Sequence, residues 1–342
     1  MIKPATLRPG DIIGLVSPSS GMANLVPHRV ERAQEALQDR GFKVLVSPHA
    51  LERVDYVSAD ARTRAHDLME MFLDPSVKAI ISMIGGNHSN QILKYLDFEA
   101  IKAHPKIFFG YSDITVLHMA LQSQAGLVTF YGPAALTQFA ENPEPLPYTL
   151  EYFTKAVCTA QPIGRIISSH EWTCEMLNWL EKKDLKRPRK MQPNPGWRWL
   201  RSGRAQGPIS GGCIASLMHV RGTKYCPDWK GKILFWEISE SEADFSKGDP
   251  PSLIDSYLAD LDNSGIFSQI SGMVIGRTFG YEASELQNLF DVVAARTQGY
   301  SFPILYGVDI GHTDPMMTIP GGIQATLDAV SDIFSIDEAA TI

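Results

Sequence analysis

Along the first third of the chain, short apolar runs alternate with longer stretches whose apolar residues recur every three or four positions. Residues 11–17, 42–47 and 77–84 have the length and continuity of buried strands, while 27–40 and 59–73 carry the helical period. Pro27 suits a first helical turn, where a missing N–H removes no bond. Next, the apolar run Ile107-Phe108-Phe109 stops at Gly110 and presents Tyr111-Ser112-Asp113. Ile114, Leu117, His118 and Leu121 then repeat at helical spacing. Such alternation predicts an α/β fold with a mainly parallel sheet covered by helices. The strands 77–84 and 107–109 both end in turns, Gly85-Gly86-Asn87-His88-Ser89 and the one bearing Ser112, expected at the same sheet edge. Open α/β sheets bind ligands beyond the carboxyl ends of their strands.

The pattern breaks from about 141 to 206, where ENPEPLP is rich in proline and RPRKMQPNPGWRWLRSG mixes proline, basic residues and tryptophan without a period. A structureless run this long inside a compact protein is a linker or carries function. Periodicity returns after Gly211-Gly212: 214–220 and 252–261 read as helices, 232–238 and 272–275 as strands. The expected organisation is a nucleophile domain at 1–140, a connector at 141–206 and a second domain at 207–342.

Composition narrows the class. With 342 residues, 44% hydrophobic and 20% charged, the chain suits a globular protein of two domains. A net charge of -7 argues against a nucleic-acid partner, and the basic run 182–190 reads as a solvated loop. The N-terminal apolar run is broken by Gly14 and Pro18, a poor signal peptide, and no segment is long and apolar enough to span a membrane. Cys158, Cys174, Cys213 and Cys226 lack disulfide or CxxC spacing, so a cytoplasmic location is expected. None of the nine histidines falls in a metal-ligand motif, and no metal or other cofactor is expected.

Ser112 sits where a strand turns into a helix, which lifts its hydroxyl off the sheet beside the first helical N–H groups. The same tetrapeptide also serves as a plain helix cap. A serine nucleophile needs a base, a group to orient the base, and donors for the oxyanion. Gly85-Gly86 allows close backbone approach, so its N–H groups could join that of Asp113 as donors; otherwise it is a tight turn. Glu237 ends the apolar run Ile233-Leu234-Phe235-Trp236, where a carboxylate needs a partner or solvent. For the base, His312 follows an apolar strand between Gly311 and Pro315, His88 lies at the glycine turn, and His118 falls on the apolar helical stripe. Spacing does not choose among the three. The order Ser112, Glu237, His312 is nucleophile, acid, base, but position 114 is isoleucine, not the second glycine of a G-x-S-x-G elbow.

VSPSS near the N-terminus, IGGNHSNQILKYLDFEAI, PKIFFGYSDITVLH, GKILFWE and PILYGVDIGHTDPMMTIPGG together resemble the serine peptidase family of LD-carboxypeptidases and microcin C immunity proteins. The likeness runs from about residue 4 to 328 and is nearest the immunity branch. It implies a Rossmann-like or flavodoxin-like N-terminal domain, a C-terminal swivelling β/α domain, and a metal-independent cytoplasmic enzyme, often a homodimer. It also implies a Ser112-Glu237-His312 triad with backbone oxyanion donors at Gly86 and Asp113; the glycine turn itself offers substrate contacts at Gly85 and His88. The stretch EWTCEMLNWLEKKDLKRPRKMQPNPGWRW resembles the long loop on which immunity proteins stack a tryptophan against a nucleobase. Trp179 is the best match, followed by Trp172 and Trp197. An indole face offers about 1–3 kcal/mol of stacking per base, and the same tryptophans also serve to pack the connector.

Two departures bear on substrate. Gly211-Gly212-Cys213-Ile214 stands where many relatives have Gly-Gly-Asn-Leu. Ser239, Glu240 and Ser241 stand where immunity proteins place a base for phosphate, leaving Lys247 or a connector arginine for that contact. The resemblance implies hydrolysis of the amide joining an aminoacyl or peptidyl group to a nucleotide-like moiety. The alternatives are an LD-carboxypeptidase releasing D-alanine from murein tetrapeptide, and a non-catalytic peptide or nucleotide binding protein.

Overall fold

The computed structural model describes residues 1–241 and 243–342. Its N-terminal half is built on a six-stranded sheet. In spatial order the strands are Ile319–Gly321, Thr129–Tyr131, Ile107–Gly110, Val77–Ser82, Ile12–Val16 and Lys43–Val46. The last five run parallel. The helices predicted between them form at Pro27–Gln38 and Ala61–Leu73, the second capped by the Asp60 carboxylate, which accepts from the Arg62 and Thr63 N–H groups. Their inner faces bury Val30, Ala33 and Leu37, and Leu68, Met71 and Phe72. Each such large side chain contributes roughly 1.5–3 kcal/mol on leaving water.

The C-terminal half is a curled eight-stranded sheet: Gly164–Arg165, Ile333–Ile336, Gln324–Asp328, Arg204–Cys213, Ile233–Glu237, Gly272–Gly276, Ile304–Val308 and Arg198–Arg201. The four strands from Arg204 to Val308 are parallel neighbours, and the flanking pairs are antiparallel. Helices Pro251–Asn263 and Ala283–Arg296 supply the crossovers. One strand of this half, Ile319–Gly321, crosses back and pairs antiparallel with Thr129–Tyr131 of the first sheet. The two halves are therefore laced by backbone hydrogen bonds.

The stretch 141–206 is not structureless. It holds the helix Pro147–Val157, with Tyr152, Phe153 and Val157 buried. Its strands Gly164–Arg165 and Arg198–Arg201 form both edges of the C-terminal sheet. Between them Glu171–Trp172 pairs with Gln192–Pro193. Strands of two to four residues have too little sequence for a period and exist only through their partners. Among the described residues no helix is long and apolar enough to cross a membrane, and all four cysteines are unpaired.

Candidate active site

Three strands of two sheets end beside one another. Ser112 follows Ile107–Gly110, Glu237 ends Ile233–Glu237, and His312 lies four residues beyond Ile304–Val308. This is where a parallel sheet leaves room for a ligand.

Ser112 opens a short 3-10 turn, Ser112–Ile114, that runs into the helix Thr115–Ala120. Its φ of +62° is left-handed, uncommon for a residue with a side chain, and needs support from its surroundings. That support is specific. The Ser112 N–H donates to the Tyr131 hydroxyl at 3.2 Å, and the Thr115 hydroxyl donates to the Ser112 carbonyl at 2.6 Å. On the neighbouring strand's turn, a Cβ at Gly85 would lie 2.7 Å from Ser112 Cβ, 2.9 Å from Oγ and 3.2 Å from the Asp113 nitrogen. Only glycine lets that backbone face both the hydroxyl and the adjacent N–H.

Asp113 is buried, and its carboxylate accepts from the Ser19 hydroxyl at 2.6 Å and from the N–H groups of His88 at 3.0 Å and Ser89 at 2.8 Å. Its side chain thus pins the Gly85–Ser89 turn to the serine turn, a structural task added to the backbone one expected of it. Buried Arg64 donates to the carbonyls of Pro18 and His88 behind the same turn. Burial lowers the pKa of its guanidinium, and the charge of Asp113 opposes that shift.

Glu237 has no solvent exposure. One carboxylate oxygen accepts from the Tyr131 hydroxyl at 2.5 Å, and the other pairs with His312 Nδ1 at 2.7 Å and accepts the His312 N–H at 3.3 Å. Glycines make the space: a Cβ on Gly311, at φ +89°, would lie 2.2 Å from Glu237 Oε2. Among the candidate bases, His312 is the one paired with a buried acid. His118 is buried with Nε2 against the Gly110 carbonyl at 2.9 Å, and desolvation pushes its pKa down to about 4, so it is a neutral core group. His88 stacks on Tyr56 at 4.3 Å between ring centres.

His312 Nε2, the nitrogen that would face a nucleophile, lies 3.6 Å from Glu240 Oε2. No direct hydrogen bond joins it to Ser112. Burial lowers the imidazole pKa, but the charges of Glu237 and Glu240, the bond to Glu237 and the charge of Asp314 outweigh it and raise the pKa to about 9. His312 thus lies between two carboxylates that favour its protonated form, with the Tyr111 ring edge-on at 4.9 Å.

The loop after Pro147–Val157 docks on the His312 segment. Thr173 and Asp314 exchange backbone bonds of 2.6 and 2.9 Å, and Arg189 bridges Glu141 at 2.5 Å and Asp314 at 2.7 Å. Trp172 lies under Arg277, 4.9 Å from guanidinium carbon to ring centre, and Arg277 pairs with fully buried Asp309. Trp179 is covered on one face by Arg29 at 4.1 Å, itself held by Asp184 at 2.6 Å. Trp197 packs edge-on against Phe334 of the C-terminal sheet, 6.1 Å between ring centres. Lys247 faces exposed Glu282 at 3.9 Å, and the Cys213 N–H donates to Thr115 Oγ1 at 2.9 Å. Sequence reasoning missed Tyr131, Glu240 as a partner of His312, and the Arg277–Asp309 pair beneath the His312 loop. Nothing local marks Tyr131, whose role needs an acid more than a hundred residues away.

The sequence profile described as LD-carboxypeptidase N-terminal domain matches residues 13–132, and that of the C-terminal domain matches 206–327. The microcin C7 self-immunity protein MccF of Escherichia coli is 33% identical over 338 residues, covering 98% of this chain and 95% of that protein. The structure of MccF with aspartyl sulfamoyl adenosine superposes with a TM-score of 0.91 at 31% identity, covering all of both chains. A murein tetrapeptide carboxypeptidase of Pseudomonas aeruginosa is 30% identical over 124 residues, covering 36% of this chain and 39% of that one.

Proposed function

We propose, on the premise that this chain belongs to the LD-carboxypeptidase family, that it is a serine hydrolase cleaving the amide between an aminoacyl or peptidyl group and a nucleotide-like moiety. The reading rests on the buried Glu237–His312 pair, joined through the Tyr131 hydroxyl to a serine held in a left-handed turn. Similarity to MccF, which is seen with aspartyl sulfamoyl adenosine bound, supports the nucleotide part. In this mechanism Ser112 Oγ attacks the amide carbonyl while its proton passes to His312 Nε2. The Gly86 and Asp113 N–H groups stabilise the tetrahedral oxyanion. As the C–N bond breaks, His312 returns the proton to the leaving nitrogen, and Glu237 holds the imidazole by Nδ1 throughout. Water, deprotonated by the same His312, then attacks the Ser112 ester and releases the acid.

His312 acts as a base in its neutral form, which the neighbouring Glu240 charge disfavours, so the base is freed by a higher pH or by a substrate that draws Glu240 away. Trp179 stacks the base on the face that Arg29 leaves open, and Trp172 and Trp197 support the loop. The enzyme works without a metal, as a homodimer in the cytoplasm.

The partial similarity to a murein tetrapeptide carboxypeptidase supports a second reading, an LD-carboxypeptidase acting on murein tetrapeptide. The Glu240 carboxylate beside His312 does not separate the two, since it repels a phosphate and the terminal carboxylate of a tetrapeptide alike. Side-by-side hydrolysis of an aminoacyl sulfamoyl adenylate and a murein tetrapeptide decides. Turnover of the adenylate is expected, turnover of the tetrapeptide alone transfers the enzyme to the second reading, and turnover of neither leaves a binding protein.

A further inference from the structure

Ser112 belongs to one sheet, and Glu237 with His312 to the other, so an active site built from them requires the two sheets to be held in register at atomic precision. The group that touches both is the Tyr131 hydroxyl. Tyr131 ends the strand Thr129–Tyr131 beside the Ser112 strand, with Gly110 as its register partner on one side and Ile319 on the other. Its ring is almost fully buried, edge-on to Phe235 at 5.2 Å, and its hydroxyl has two partners of different kinds. It donates to Glu237 Oε1 and accepts the Ser112 N–H. One hydroxyl has one proton, so the direction of each bond is settled by the Ser112 N–H, which can only donate.

We infer that Tyr131 is a positioning residue, which sets Ser112 against the Glu237–His312 pair and holds the Glu237 carboxylate in place. This rests on the serine-hydrolase reading above. The chemistry follows from the bond directions. With no solvent around it, the Glu237 carboxylate depends on donors, and Tyr131 is the donor on the oxygen that His312 leaves free. Burial and the charge of Glu237 raise the phenol pKa well above its usual value, so the proton stays on Tyr131. On the other side, the accepted N–H restrains the left-handed backbone of Ser112. A phenylalanine keeps the packing and removes both restraints.

The effect on His312 has a definite sign. Without the Tyr131 donor, Glu237 is stabilised less, and the loss is greater when His312 is neutral, because an imidazolium compensates it. The His312 pKa therefore rises in Tyr131→Phe. Among the described residues, the groups facing His312 are Glu237, Glu240, Asp314 and Tyr111, with Arg189 paired to Asp314 and Arg277 bonded to Thr313 behind them. None of these changes in the variant.

The test compares wild type and Tyr131→Phe in three measurements: fluorophosphonate labelling of Ser112 against pH, the His312 ring titration by NMR, and thermal melting. Labelling should slow roughly 10- to 100-fold, the rate equivalent of one hydrogen bond to a charged group. Its acid limb should move to higher pH together with the His312 titration. A lower melting temperature with an unchanged labelling rate and His312 titration overturns the inference and leaves Tyr131 as core packing. Wild type that resists labelling refutes the serine-hydrolase reading instead. The NMR titration then still decides whether Tyr131 tunes the Glu237–His312 pair, because it requires no turnover.

Discussion

Replacing Glu240 with glutamine should make the protein more active at neutral pH. His312 Nε2 and Glu240 Oε2 are 3.6 Å apart, and the Glu240 side chain is 21% exposed. At an effective dielectric constant of 20, unit charges at that separation attract by about 4–5 kcal/mol. Solvent at the exposed side of Glu240 reduces this to about 1.5–3 kcal/mol, or one to two pKa units. His312 starts at about 9, so about 1% of it is neutral, and able to take a proton from Ser112, at pH 7. Lowering its pKa by one unit raises that fraction to about 10%. The sign is fixed: removing an anion beside an imidazolium favours the neutral base. The assay is the pH profile of kcat/KM, which reports the free enzyme. Its acid limb should shift down by one to two units, giving at least about tenfold more activity at pH 7 and the same plateau at high pH. An acid limb that stays in place, or a loss of activity across all pH values, refutes this account of the Glu240–His312 contact.

Two further substitutions test neighbouring parts of the site. Gly311→Ala would set a Cβ 2.2 Å from Glu237 Oε2 at a φ of +89°. It should displace Glu237, cost about 1–3 kcal/mol of stability and lower kcat on the order of 100-fold or more; near-wild-type kcat would show that Glu237 does not need its present place. Trp179→Ala should raise KM for an aminoacyl sulfamoyl adenylate by about 5- to 150-fold, the equivalent of 1–3 kcal/mol of stacking, with fluorophosphonate labelling unchanged. Equal losses in both measurements would mean that Trp179 only packs the loop beneath Arg29.

The strand, turn and helix around Ser112 were legible because each signal is local: a continuous apolar run, a glycine stop, then apolar residues at helical spacing. The same holds for the N-terminal sheet, whose parallel order follows from alternating strands and helices. The stretch 141–206 was illegible for the opposite reason. Its edge strands, Gly164–Arg165 and Arg198–Arg201, are too short for a period and form only against Ile333–Ile336 and Ile304–Val308. Its aperiodic loop is held by contacts such as Arg189 to Glu141 and Asp314, which pair residues up to 125 positions apart.

By itself, the sequence determined the longer periodic elements outside 141–206, the class of fold and a short set of polar residues at the ends of apolar strands, because hydrophobic period and turn chemistry act over a few residues. Spacing left His88, His118 and His312 open as bases, and the family resemblance pointed to His312. The tertiary structure distinguished them by surroundings: His118 is desolvated without a charged partner, His88 lies on Tyr56, and His312 is paired with a buried carboxylate. It likewise showed Tyr131, which nothing local marks, to be bonded to both Ser112 and Glu237. Protonation and hydrogen-bond direction depend on burial and on charges brought together from distant parts of the chain, and those exist only once the two sheets have closed on each other.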